Sequence, residues 1–68
     1  MTVVIKSEHI GSYYICLECY PTNYGAMYKA TQNASEGDYF RTRKQYTSTD
    51  KKKASAAYSR YKRESKEG

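Results

Sequence analysis

The clearest alternation of apolar and polar positions in this chain runs from Tyr13 to Tyr20 and predicts a β-strand. Because Glu18 must reach water, the face opposite it is the predicted core face. The core face holds Tyr13, Ile15, Leu17 and Cys19, and the other face holds Tyr14, Cys16, Glu18 and Tyr20. A β-branched run at residues 2–6 predicts a shorter strand before it, followed by a connection over residues 7–12.

A hairpin is predicted to follow this strand. Residues 21–25 have the composition of a turn, because proline fixes φ and glycine permits a positive φ. Residues 26–31 are then predicted to return as the second strand of the hairpin. Residues 32–37 are polar and show no periodicity, so we expect an irregular connection there.

Another alternating segment, residues 39–47, predicts the next strand. Phe40 and Tyr46 indicate its core face, on which Lys44 is expected to extend its ammonium group into water. The opposite face is then predicted to be open, and it carries Tyr39, Arg41, Arg43, Gln45 and Thr47.

The last element is predicted to be a helix over about residues 50–64. Its apolar stripe at i, i+3, i+4 and i+7 consists of Ala54, Ala57, Tyr58 and Tyr61. Ser48 or Thr49 is the predicted N-cap, and Asp50 suits the positive end of the helix dipole. Residues 65–68 are expected to be a frayed tail of basic and polar residues.

These elements predict one small α+β domain over residues 1–64, with a three- to four-stranded antiparallel sheet and one C-terminal helix packed on one face. The second sheet face has no helix to cover it. This uncovered face is expected to hold Tyr14, Glu18, Tyr20, Arg41 and Arg43, with Tyr28 as a further candidate.

The core of so short a chain is thin. A domain of this size buries only about 60% of the surface that its unfolded chain exposes. The chain has a single leucine, a single phenylalanine and no tryptophan, so nine tyrosines supply most of the bulk. Tyrosine rings also suit contact surfaces, because they offer a large area at low cost in conformational entropy.

Charge is divided between the two halves of the chain. Residues 41–68 hold ten basic side chains against three acids, for a net charge of +7, whereas residues 1–40 hold two against four, for −2. Like charges crowded onto neighbouring elements repel, so their presence favours an anionic partner, either nucleic acid or an acidic protein surface. The start of the helix carries three lysines, Lys51, Lys52 and Lys53, whose charges are repelled by the positive end of the helix dipole. A phosphate docked there would relieve this repulsion. Alternatively, the lysines simply extend into water.

Residues 39–46 interleave aromatic rings with cations, as nucleic-acid binders need for stacking and for phosphate contact. The competing interpretation is an edge strand whose cations prevent aggregation. The strand–strand–strand–helix order resembles the AP2-type and integrase arm-type DNA-binding modules. Residues 48–57 resemble the start of the last helix of a double-stranded-RNA-binding domain, although that domain's first helix and Gly-rich turn are missing here, and no site residue follows from either resemblance.

Cys16 and Cys19 form a CxxC pair with three interpretations: reduced packing residues, a zinc site with His9, or a redox or intermolecular disulfide. On a strand the two thiols point to opposite faces, which disfavours a shared metal. Catalysis is poorly supported, since His9 is the only histidine and no obvious carboxylate pair or phosphate loop is present. We therefore expect no enzyme activity, no metal and no cofactor.

The sequence favours a small non-catalytic protein that binds DNA or RNA through a Tyr/Arg strand face and a Lys/Arg-rich helix. The expected contact residues are Tyr14, Tyr20, Tyr39, Arg41, Arg43, Lys44, Lys51, Lys52, Lys53, Arg60 and Arg63.

The alternative hypothesis is a virus- or phage-type protein that inhibits a host protein, such as a nucleic-acid-handling enzyme, through the same sheet face. A homodimer through an edge strand is a further interpretation. No apolar stretch has the length of a membrane span or of a signal peptide, so we expect a cytoplasmic protein, in the host cytoplasm if viral, with no membrane partner.

Overall fold

The computed structural model describes residues 1–67 and contains four strands followed by one helix. The strands form one antiparallel sheet in the order β1-β2-β3-β4, so each strand pairs with its neighbour in sequence. The helix packs on one face of this sheet, which confirms the predicted α+β fold. A fourth strand distinguishes it from the three-strand order of the modules named above. The elements are β1 (Val3–Ile10), β2 (Tyr13–Thr22), β3 (Gly25–Glu36), β4 (Tyr39–Ser48) and α1 (Lys51–Glu67).

The core lies between α1 and the two central strands. Ile15 and Leu17 of β2 are fully buried, which confirms the predicted core face of that strand. The apolar stripe of α1 lies against them, and its alanines let the helix backbone approach the sheet closely. The buried cluster consists of Ile15, Leu17, Ala30, Ala54, Ala57, Tyr58 and Tyr61.

Two tight turns join the outer strands to the inner ones. Gly11 (φ 59°) lies between β1 and β2, and Gly37 (φ 64°) lies between β3 and β4. Both are in the left-handed region, which a residue with a Cβ enters only at a cost. Because each turn spans only two residues, the strands are longer than predicted: β1 continues to Ile10 through the expected connection.

The prediction of an irregular segment at residues 32–37 was wrong up to Glu36, since these residues belong to β3. Gln32 is buried and donates from Nε2 to Ser65 Oγ (2.9 Å) and to the carbonyl oxygen of Tyr61 (3.2 Å). Ser65 Oγ in turn donates to the Tyr61 carbonyl at 2.9 Å. This network ties β3 to the last turns of α1, so residues 65–67 are helical rather than frayed; Gly68 lies outside the described residues.

The helix begins one residue later than predicted because Asp50 itself is the N-cap. Its Oδ1 accepts a hydrogen bond from the backbone N–H of Lys52 at 2.9 Å, as an N-cap carboxylate does. Ser48, one of the two predicted caps, instead accepts from the backbone N–H of Asp50 at 3.0 Å. The side chain of Ser48 therefore holds the backbone just before the helix, and Asp50 caps the N-terminus of the helix.

A β-bulge at Arg43 inverts the side-chain alternation of β4. Lys44 pairs with Gln32 and Thr42 pairs with Asn33, which leaves Arg43 as an extra residue. Tyr46 therefore faces the helix as predicted, whereas Phe40 lies on the uncovered face. The prediction that Phe40 faces the core was wrong for this reason.

The same bulge overturns the prediction that Tyr39 and Arg41 lie on the uncovered face, since Tyr39 pairs with Glu36 and lies on the same side as Arg41. Arg41 pairs with Ala34, which in turn pairs with Tyr13 of the helix-facing set, so Arg41 lies on the helix side of the sheet. Tyr28 was also misplaced, because it packs partly buried against the core.

Candidate nucleic-acid interface

The exposed surface of α1 is strongly cationic. The helix carries seven basic side chains and two acids, and the five cations predicted as contacts are all exposed. None of these five has a carboxylate within 4.0 Å among residues 1–67. They are Lys51, Lys52, Lys53, Arg60 and Arg63.

Two of these helix cations line a shallow groove between α1 and β4. The β4–α1 groove is formed by Tyr46, Lys53, Ala56, Ala57 and Arg60. Both alanines have short side chains, and the Arg60 guanidinium lies 5.6 Å from the centre of the Tyr61 ring. Cations along an open groove that is lined by small residues can accommodate a sugar–phosphate backbone.

The two arginines of β4 lie farther along this edge strand. Arg41 and Arg43 line one depression together with Tyr13, Ala34 and Glu36. The Arg41 guanidinium is 3.8 Å from the Glu36 carboxylate, with both side chains largely exposed. Such an exposed ion pair is weak, and a phosphate can replace the carboxylate.

Lys44 differs from the other cations because it already forms an ion pair with an acid of α1. Its Nζ lies 2.6 Å from Glu64 Oε2. This hydrogen bond holds the pKa of Glu64 below its usual range, and the nearby positive charges of Lys44, Arg60 and Arg63 act in the same direction. The pair links β4 to the helix at neutral pH, so we assign Lys44 a structural role beside its predicted one.

The predicted contact residues therefore divide between the two sides of the sheet. Tyr14 and Tyr20 lie on the face away from the helix, which we call the open face. Tyr39 lies beside the β3–β4 turn, where its hydroxyl donates to Glu36 Oε2 at 3.2 Å. The helix side of the molecule holds Arg41, Lys44, Lys51, Lys52, Lys53, Arg60 and Arg63, and Arg43 is the bulge residue on the edge strand beside them. We call all of these except Lys44 the basic surface.

An aromatic cluster on the open face was not predicted. The rings of His9 and Tyr14 are 4.7 Å apart, and the Phe40 ring is 5.9 Å from each of them. The three residues come from β1, β2 and β4, so no local pattern joins them. The bulge at Arg43 that brings Phe40 to this face has no signature in the sequence.

The two cysteines have different surroundings. Cys16 is buried on the open face, whereas Cys19 is half-buried beside Tyr28 on the helix side, and both are free thiols. Burial raises the pKa of the Cys16 thiol, and the nearby carboxylate of Glu18 raises it further. Among residues 1–67, no three His, Cys, Asp or Glu side chains come together as a metal site would require.

We expect Cys19 to react with iodoacetamide before Cys16 in the folded protein, because the thiolate is the reactive form and Cys16 is both buried and held more in its thiol form by its raised pKa. Peptide mass spectrometry after brief labelling at pH 8 measures the two rates. Cys19→Ser should remove the fast reaction, and labelling in denaturant should remove the difference. Equal rates in the folded protein would contradict the assigned burial of Cys16.

Comparison with protein-family models, with curated proteins and with solved structures found no match for this chain. Within the described residues, no helix combines the length and the apolar composition needed to cross a membrane.

Proposed function

We propose that this protein is a non-catalytic nucleic-acid-binding module whose basic surface contacts the phosphate backbone. The observation that carries this proposal is the pair of cations, Lys53 and Arg60, along the β4–α1 groove. Neither is neutralised by a carboxylate among the described residues. Phosphates that dock there would release condensed counterions and relieve the repulsion among the helix lysines.

In this proposal the helix side of the protein faces the nucleic acid. Proteins that read DNA with a β-sheet instead insert strands of the sheet into a groove. Among the residues that the strand register places, Glu18 and Lys29 are the charged side chains on the open face, and they lie opposite each other on β2 and β3. That face is therefore close to neutral. The basic surface, on the other side, is the better match for a polyanion.

The proposal predicts binding that weakens steeply with salt. Fluorescence anisotropy with a labelled DNA duplex, a single strand and an RNA hairpin at 50 and 200 mM salt measures this dependence. If the protein neutralises four phosphates, its affinity should fall on the order of 10²-fold over that range. The absence of binding to all three probes at 50 mM salt would refute the proposal.

A second candidate function is inhibition of a nucleic-acid-handling protein, as some viral or phage proteins do. The aromatic cluster on the open face favours it, because exposed aromatic residues are enriched where proteins bind each other. This candidate takes precedence if nucleic acid fails to bind at low salt.

Self-association through an edge strand would use β1 rather than β4. β4 carries three closely spaced cations, Arg41, Arg43 and Lys44. Pairing of two β4 strands would bring these like charges together. Val3 and Val4, at the beginning of β1, are exposed and uncharged. Sedimentation at two protein concentrations would detect such a dimer.

A further inference from the structure

The single phenylalanine of the chain lies outside the core. Phe40 is 49% exposed on the open face, although the core is thin and a buried phenylalanine ring would contribute about 2 kcal/mol to stability by the usual area estimate. The bulge at Arg43 causes this placement, since regular alternation would turn Phe40 toward the helix. Bulges that redirect a side chain are common beside functional sites.

Phe40 does not stand alone on this face. Its ring contacts the rings of Tyr14 and His9, and the three tilt against each other by 42° to 59°. Asn33 supports the surface between them, because its amide donates to the Tyr14 carbonyl (3.1 Å) and its Oδ1 accepts from Thr42 (2.7 Å). The cluster is therefore a partly exposed aromatic surface on a hydrogen-bonded sheet.

The charges around the cluster indicate what it can bind. The Glu18–Lys29 pair leaves the open face near neutral, so this face suits bases better than phosphates. Arg41 and Arg43 follow Phe40 on the same edge strand, and the Arg41 side chain lies on the other side of the sheet. A single strand of nucleic acid can therefore place its bases on the open face while its phosphates pass the β4 edge of the sheet and reach these arginines.

Resting on the proposed function, we infer that the open face stacks unpaired bases of single-stranded nucleic acid, with Phe40 and Tyr14 as the stacking rings. In a duplex the base faces are covered by their neighbours, whereas in a single strand they can lie on aromatic side chains of a sheet. The protein would then bind a single strand with both surfaces and a duplex with the basic surface alone.

The test compares Phe40→Leu with the wild type on a labelled dT12 oligonucleotide and on a 12-base-pair duplex. Leucine keeps an apolar side chain but removes the ring. We expect the affinity for dT12 to fall about 5- to 100-fold with its salt dependence unchanged, and the affinity for the duplex to stay the same. Thermal unfolding monitored by circular dichroism confirms that the variant is folded.

A second variant, Phe40→Trp, keeps an aromatic ring and introduces the only tryptophan of the chain. Its fluorescence should be quenched when dT12 is added and should change little with the duplex. Wild-type affinity of Phe40→Leu for dT12, or an equal loss for dT12 and duplex, would overturn the stacking inference while leaving the proposed function intact. No binding of the wild type to any nucleic acid at 50 mM salt would overturn both and leave the open face to a protein partner.

Discussion

Leu17→Ala is expected to remove most of the stability of this protein. Leu17 is fully buried at the centre of the cluster between β2 and α1, and truncation of such a residue costs about 2–5 kcal/mol. A domain of this length has a free energy of unfolding of roughly 3–10 kcal/mol. The chain has no other leucine to fill the cavity, and the neighbouring alanines are too short to do so.

Thermal unfolding monitored by circular dichroism tests this prediction. We expect Leu17→Ala to lower the melting temperature by about 10 °C or more. The matched control is Val4→Ala, since Val4 is 54% exposed at the edge of the same sheet and its truncation should cost little. Equal, small shifts for both variants would show that Leu17 does not form the centre of the core.

The parts of the fold that the sequence predicted are those with strong local periodicity. The alternation around Leu17 identified the core face of β2, and the stripe from Ala54 to Tyr61 identified the buried face of α1. In both cases the period of the element matches the spacing of its apolar residues. Burial then follows from the pattern alone.

The errors at Gln32 and Ser65 have one physical cause. Gln32 and Ser65 are polar, so neither contributes to an apolar pattern, yet each hydrogen-bonds to the other in the core. The two residues are 33 positions apart, and no local property of either segment indicates its partner. A polar residue that is buried because of a distant partner is invisible to periodicity.

The predicted faces of two β4 residues, Phe40 and Arg41, were wrong. The cations and tyrosines are where the sequence placed them along the chain, but one extra residue at Arg43 exchanges the faces of Phe40 and Arg41. A shift of one residue moves every side chain before it to the other side of the sheet. Arg41 therefore joins the helix cations on the basic surface, and Phe40 joins Tyr14 on the open face.

The second large effect is expected from Lys53→Gln combined with Arg60→Gln. These residues line the β4–α1 groove, so the variant should lose about two phosphate contacts. The affinity for a DNA duplex at 100 mM salt should fall on the order of 10- to 100-fold. Both side chains are exposed, so the melting temperature should change little.

The matched control is Lys6→Gln combined with Lys29→Gln, which removes the same charge from elsewhere. Lys6 lies on β1, where its ammonium group is 5.9 Å from the centre of the Tyr58 ring, and Lys29 lies on the open face. A lower affinity caused only by net charge would appear in both variants. If nucleic acid binds at the β4–α1 groove, the affinity should fall much more in the variant with Lys53→Gln and Arg60→Gln, which we call the groove variant.

The measurement that tests the basic surface most directly is the slope of log affinity against log salt for a DNA duplex, in the wild type, the groove variant and the control. The slope of the groove variant should be less steep than that of the wild type by about 2. The control should keep nearly the wild-type slope. Equal slopes in the wild type and the groove variant would contradict phosphate contact by Lys53 and Arg60.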